Sequence, residues 1–208
     1  MDREAIAEFL RREIEPLPDG IYGDRYRVAA YLKDGTYLSC VVFQSRKLQV
    51  DLASRRFEQI NREEPNNYRS IVETFVASGS SVADYQIDRV EVSPFAWPLT
   101  LLDTIEGETT MGWTAFVAEM DDGRRFSYGT QFHFEFFALP TGYGHQSIRR
   151  IESGVIHTDD LGTRPFTLNT DSAVPYLREK AFFSCYFAEL DPPPEPRFGR
   201  IRRETALV

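Results

Sequence analysis

Two Asp-Gly pairs, Asp34-Gly35 and Asp122-Gly123, constrain the fold more than any other feature of this sequence. Each pair lies between two runs that are rich in aromatic and β-branched residues, which favour pleated sheet. A two-residue hairpin turn needs a positive φ angle at its centre, and Gly adopts that angle without steric cost. The sequence therefore predicts two antiparallel β-hairpins, one in each half of the chain.

The fold predicted around these hairpins is α+β and mostly antiparallel. With 208 residues, of which 42% are hydrophobic and 27% charged, the chain can bury a core without disulfides or metals. Apolar residues at helical spacing predict one helix over residues 2–15 and another over 67–78. We therefore expect two related β-rich units, an N-terminal helix, and one helix inserted in the first unit.

Proline and glycine divide the chain into four predicted regions. Residues 1–93 form the first β-rich unit, 94–104 an ordered connector, and 105–190 the second β-rich unit. Residues 191–208 form a basic tail whose prolines favour polyproline II. The same pattern is compatible with one compact domain.

Matching motifs in the two units suggest an internal duplication. An Ile-x-Gly motif precedes each Asp-Gly hairpin, and the segment 87–91 of the first unit resembles 148–152 of the second. Because Asp-Gly hairpins are common, chance similarity of two hairpins explains the pattern equally well. If the repeat is real, the predicted second helix is an insertion in the first copy.

Net charge makes several partners improbable. The chain has a formal charge of −8 and a pI of about 5.0, so it repels phosphate backbones and anionic membrane surfaces. The exception is a small basic patch in the tail, which could contact an acidic partner or RNA. Its arginines are Arg197, Arg200, Arg202 and Arg203.

The expected location is the cytoplasm. The first 15 residues are charged throughout, unlike a signal peptide. No apolar run approaches the roughly 18 residues that a membrane-spanning helix needs. Both cysteines, Cys40 and Cys185, lie in apolar runs, and we expect them to be buried and reduced.

The first candidate for a chemical site is a polar strand face in the second hairpin. If the run from 124 to about 139 is one strand, the side chains of His133 and Glu135 share a face and stand about 7 Å apart. That distance suits a carboxylate tuning an imidazole, or metal ligands completed by His157. A solvated or hydrogen-bonded structural face is the ordinary interpretation, because polar strand faces usually face water.

Trp97, Tyr143 and His145 are candidates for a ligand-binding surface. Tyr143 lies between two glycines of a loop, and Trp97 lies in the connector near Phe95. A Gly-x-Gly motif alone is a poor phosphate signal, and an ordinary turn is the simpler interpretation. The sequence contains no P-loop, nucleophile elbow or Cys-x-x-Cys motif, so it implies no cofactor and leaves catalysis uncertain.

Two functions of different class fit these features. The first is a non-catalytic protein-binding module that presents a sheet edge or an aromatic patch to another protein. The second is an enzyme, or a small-ligand or metal-binding protein, that uses the His133/Glu135 face. Because no catalytic motif is present, the sequence favours the first function. It indicates neither a substrate nor an oligomeric state.

Overall fold

A computed structural model of the protein describes residues 1–20, 23–59, 80–107, 113–131, 135–158, 162–167 and 179–193. The helices of this part of the chain are α1 (Arg3–Glu13), α2 (Arg46–Gln59) and α3 (Leu99–Leu102). The strands are β1 (Tyr26–Leu32), β2 (Tyr37–Ser45), β3 (Ile87–Val92), β4 (Trp113–Met120), β5 (Arg125–Gln131), β6 (Ile148–Ser153), β7 (Val155–His157), β8 (Thr163–Pro165) and β9 (Phe183–Phe187). The fold is α+β with mostly antiparallel sheets and an N-terminal helix, as the sequence predicts.

Both Asp-Gly pairs form tight turns of antiparallel hairpins, which confirms the central prediction from the sequence. The first pair joins β1 to β2, and the second joins β4 to β5. Gly35 and Gly123 have φ angles of 88° and 83°, in the region that favours glycine. In each turn the Asp side chain accepts a hydrogen bond from the backbone N–H two residues further on.

The strands form two main sheets and a small ribbon. In the first sheet the order is β3-β1-β2-β9, and β9 runs parallel to β2 while the other pairs are antiparallel. In the second sheet the order is β5-β4-β6, with antiparallel pairing throughout. β7 and β8 form the two-stranded ribbon. Each unit therefore places the first strand of its hairpin between the second strand and the strand that follows.

The two units also share a strand register. The pairing of β1 with β3 shifts between Tyr31 and Leu32, and the pairing of β4 with β6 shifts between Glu119 and Met120. Leu32 and Met120 each lie three residues before the turn glycine, so the irregularity occurs at the same place. An origin by internal duplication goes beyond this shared register and stays a prediction.

The first core lies between α1 and one face of the first sheet. Asp2 caps α1 by accepting a hydrogen bond from the backbone N–H of Ala5 at 2.8 Å. The buried side chains on α1 are Ile6, Ala7 and Leu10. They pack with Val28, Ala30, Val41, Phe43, Ile87, Val90, Cys185 and Phe187. The thiols of Cys40 and Cys185 are both free and buried, and burial raises the pKa of Cys185.

Trp97 lies at the centre of the second core and is fully buried. Its ring centroid lies 5.9 Å from that of Phe116, 5.0 Å from that of Tyr128 and 5.4 Å from that of Phe137. All three pairs are edge-to-face, a favourable geometry for aromatic rings. The indole N–H donates to the carbonyl of Phe137 at 3.2 Å. These contacts fix the connector against the second sheet.

One strand prediction is wrong. The sequence continues β5 to about residue 139, whereas β5 spans Arg125–Gln131 and residues 135–139 are not part of it. The reason lies in the backbone pairing. The first residue of β4 already pairs with Gln131, and the backbone groups of Phe136 and Phe137 hydrogen-bond to Lys180 and Phe95 instead of to β4.

Two further observations concern helices. The sequence left residues 48–60 ambiguous, and most of them belong to α2. The helix predicted over 67–78 lies outside the described residues. Among the helices that the structure describes, none combines the length and the apolar content that crossing a bilayer requires.

Candidate functional site

A cleft of about 680 Å³ opens where the two units meet. Its volume falls in the range of about 300–1,000 Å³ that is usual for ligand pockets. The cleft lies between the end of α1, the end of β3, the connector and the loop 139–146. Much of its wall is apolar and includes Val92, Pro94, Phe95, Pro98, Leu139 and Pro140.

Three residues that the sequence singles out come together at this cleft. Trp97, Tyr143 and His145 all line it. The rings of Trp97 and His145 pack with their centroids 6.1 Å apart. The Tyr143 hydroxyl donates to the carboxylate of Asp122 at 2.7 Å and so ties the loop to the second hairpin turn. A role in binding stays a prediction for each of the three.

The charged residues that line the cleft are Glu13, Glu15 and Arg27. Both glutamates are exposed at the end of α1, and Glu15 accepts a hydrogen bond from the backbone N–H of Leu99 at 2.9 Å. Arg27, in contrast, is only 3% exposed. The mouth of the cleft is therefore acidic, and its cation lies in the inner wall.

Arg27 joins the two units. Its Nη1 donates to the carbonyl of Glu135 at 3.1 Å, and its Nη2 donates to the carbonyl of Trp97 at 2.6 Å. Burial lowers the pKa of Arg27 to about 10, although the charges of Glu135 and Glu15 oppose the change. The guanidinium is still cationic at neutral pH and is held by hydrogen bonds that compensate for lost hydration.

Glu135 lies beneath the wall of the cleft and is buried. Its Oε1 accepts a hydrogen bond from Nη1 of Arg25 at 2.6 Å, and Arg25 also lies 3.4 Å from the carboxylate of Asp19. This is a hydrogen-bonded structural role, which the sequence gives as the ordinary interpretation. His133 lies outside the described residues, so its pairing with Glu135 stays a prediction.

The two described histidines belong to different elements. His145 starts a 3₁₀ turn before β6, whereas His157 ends β7 and donates its backbone N–H to Ser127 Oγ at 2.8 Å. Burial lowers the pKa of His145, and the positive charge of Arg27 lowers it further. Within the described residues, no group of three or more His, Cys, Asp or Glu side chains could hold a metal. A metal site on His133, Glu135 and His157 stays a prediction, because His133 lies outside the described residues.

Sequence reasoning misses Arg27, Glu13 and Glu15. An arginine directly before Val28-Ala29-Ala30, inside an apolar strand, was an available signal, since buried arginines are almost always paired. The glutamates carry no such signal, because they read as the polar surface of a helix. Only the packing of α1 beside the loop 139–146 makes them part of a site.

The chain matches no protein-family model, and searches of curated proteins and of solved structures give no significant match. A functional interpretation therefore depends on the geometry of the cleft.

Proposed function

We propose that this protein is a non-catalytic binding module whose cleft receives a segment of a partner protein. The observation that carries the proposal is the apolar cleft of about 680 Å³ with the exposed carboxylates of Glu13 and Glu15 at its mouth. Apolar walls favour apolar side chains, and an acidic mouth favours cations. The ligand is therefore a segment in which Arg or Lys alternates with apolar residues.

The edge of β3 supports an extended ligand. β3 is an outer strand of its sheet within the described part of the chain, and it leads into the cleft at Val92, which is 63% exposed. An extended peptide can add to such an edge and place its next side chains in the adjoining groove. The amine of Met1 already donates to the carbonyl of Asp88 at 2.6 Å, which leaves the end nearer the cleft for pairing.

Catalysis has less support than binding. The side chain of Glu135 is buried against Arg25, and reaching a ligand in the cleft would require breaking that ion pair. The hydroxyl of Ser93, which also lines the cleft, donates to the carbonyl of Ser39 at 2.7 Å. That bond engages the hydroxyl proton of Ser93 with the backbone and not with a base. An enzyme or small-ligand protein that uses His133 and Glu135 stays the alternative prediction.

The test is an NMR titration of the isotope-labelled full chain with a short peptide in which Arg alternates with Ile and Phe. Taken to millimolar peptide, the titration should give saturable shifts at the amides of Gly142 and Gly144 and at the indole N–H of Trp97. Exposed charge pairs contribute roughly 0.2–1 kcal/mol each, so Glu13→Gln with Glu15→Gln should weaken binding about 2- to 30-fold.

The matched control is Glu4→Gln with Glu8→Gln, which makes the same charge change on α1 at exposed positions that do not line the cleft. This control should leave the affinity unchanged. The proposal fails if the peptide causes no saturable shifts, or if a peptide with Glu in place of every Arg binds equally well.

A further inference from the structure

We infer that the chain carries its own ligand for this cleft, the basic segment 197–203 of the tail; this inference rests on the proposed function. The segment reads Arg-Phe-Gly-Arg-Ile-Arg-Arg, so cations alternate with large apolar residues. Four arginines against the one acid of Glu204 give a local charge of +3, in a chain whose net charge is −8. The composition complements the apolar walls and the carboxylates of Glu13 and Glu15.

The chain leaves its last strand beside α1. After β9, the carboxylate of Glu189 accepts a hydrogen bond from Arg3 Nε at 2.6 Å, and its carbonyl accepts one from Arg11. Asp191 then accepts hydrogen bonds from Ser45 Oγ and from the backbone N–H of Lys47, both at 2.7 Å. The contacts of Glu189 therefore anchor the chain to the same helix whose end forms the mouth of the cleft, and those of Asp191 anchor the start of the tail to the junction of β2 and α2.

The distance between that anchor and the mouth is short. Arg11 precedes Glu13, the last residue of α1 and part of the cleft lining, by two residues, a rise of roughly 3 Å along the helix. Four residues lead from Pro193 to Arg197, and in polyproline II they span roughly 12 Å. Arg197 is therefore within reach of the mouth, and the segment that follows can enter the groove.

A tethered ligand competes with any partner. Short linkers give effective concentrations in the millimolar range, which exceeds a dissociation constant of about 10–100 μM by about 10- to 100-fold. A partner segment must then displace the tail, so the apparent affinity of the natural chain for a free peptide falls by about 10- to 100-fold. The tail thus sets a threshold for binding in trans.

The experiment measures fluorescence anisotropy of a labelled peptide with the sequence of residues 194–208. The natural full chain is compared with a full-length tail variant that combines Arg197→Ser, Arg200→Ser, Arg202→Ser and Arg203→Ser. The tail variant should bind the peptide about 10- to 100-fold more tightly. Adding Glu13→Gln and Glu15→Gln to the tail variant should weaken its binding of the peptide about 2- to 30-fold.

The control for charge is Arg149→Ser with Arg150→Ser, two exposed arginines of β6. It should bind the peptide as the natural chain does. Equal binding to the natural chain and the tail variant overturns the tethered ligand and leaves the proposed function standing. Absence of binding to both, or binding that ignores the Glu13 and Glu15 substitutions, overturns the proposed function as well.

Discussion

The two β-rich units share a strand order and register, but their equivalent turns have different surroundings. Asp84 starts the 3₁₀ turn before β3, and His145 starts the turn before β6. The carboxylate of Asp84 forms an ion pair with Arg3 of α1 at 2.8 Å. His145 instead lines the open cleft.

The two ends of α1 have different neighbours. Arg3 of its first turn forms ion pairs with Asp84 and with Glu189. The residues at and just beyond its other end, Ile14 and Glu15, form one wall of the cleft. The cleft also has walls from the connector and the loop 139–146, so it depends on how both units pack together.

The cores of the two units also differ, because the second is rich in aromatic side chains. Val28 of β1 and Phe116 of β4 occupy equivalent register positions, and both are fully buried. Phe116 stacks on Tyr128 with ring centroids 5.2 Å apart and an interplanar angle of 7°. The second unit thus has an aromatic core around Trp97, which supports the wall of the cleft.

The largest expected effect tests this difference between the cores. Phe116→Ala should lower the free energy of unfolding by about 3–5 kcal/mol, because it leaves a cavity among packed rings. Val28→Ala should cost about 2 kcal/mol, since fewer buried methyl groups are removed. Urea denaturation of both variants measures the two values. Equal losses would mean that the aromatic core is no more important than the aliphatic one.

The next effect compares the two ion pairs. The side chains of Glu135 and Arg25 are 1% and 16% exposed, whereas those of Asp84 and Arg3 are 18% and 48% exposed. Glu135→Gln should cost about 3 kcal/mol, because it leaves a largely buried cation. Asp84→Asn should cost less than about 1 kcal/mol, because water screens that pair. Similar losses in chemical denaturation would remove the contrast between a buried and an exposed contact.

A smaller effect tests what the units share. Gly35→Ala and Gly123→Ala should each cost about 1–2 kcal/mol, because both positions need a positive φ angle. An added Cβ meets no atom within 4 Å at either position, so the cost is conformational. Gly20→Ala has equal space without the positive φ and should be nearly neutral. Thermal melts of the three variants measure these costs. If the melting temperatures of Gly35→Ala and Gly123→Ala differ by more than Gly20→Ala shifts that of the natural chain, the two turns are not equivalent.

The smallest effect concerns the open turn and pH. Burial lowers the pKa of His145 below its usual range, so the unfolded chain binds a proton there more readily than the folded chain. Stability is therefore lost as pH falls below about 6.5. His145→Gln should reduce that slope by at most about 1.4 kcal/mol per pH unit. Chemical denaturation of both proteins between neutral and mildly acidic pH measures how the free energy of unfolding depends on pH. A steeper dependence in His145→Gln than in the natural chain would contradict the prediction.

How far the sequence predicts the fold depends on whether the signal is local. The hairpins follow from turn chemistry within a few residues, and the N-terminal helix from its spacing and the Asp2 cap. α2 gave no clear pattern, since exposed Val50 lies between the partly buried Leu48 and the buried Leu52. The sequence places the end of β5 wrongly because the backbone of Phe136 and Phe137 pairs with Lys180 and Phe95, which are far away in the chain.

The candidate site, too, could be predicted from the sequence only where the signal is local. Trp97, Tyr143 and His145 stand out in the sequence as aromatic or imidazole groups among prolines and glycines. That they meet at one cleft depends on how the connector and the loop 139–146 pack together. Arg27 and the glutamates at the mouth join them through contacts between residues far apart in the chain, which no local pattern encodes.

One measurement tests the central claim that the site opens beside the turn at His145 and not beside the equivalent turn at Asp84. A spin label on the probe peptide of alternating Arg and apolar residues should broaden the amide signals of Gly144 and Gln146 beside the cleft. The equivalent amides of Ala83 and Tyr85 in the first unit should keep their line widths, since neither residue lines the cleft. Equal broadening at both turns, or at neither, would contradict the account.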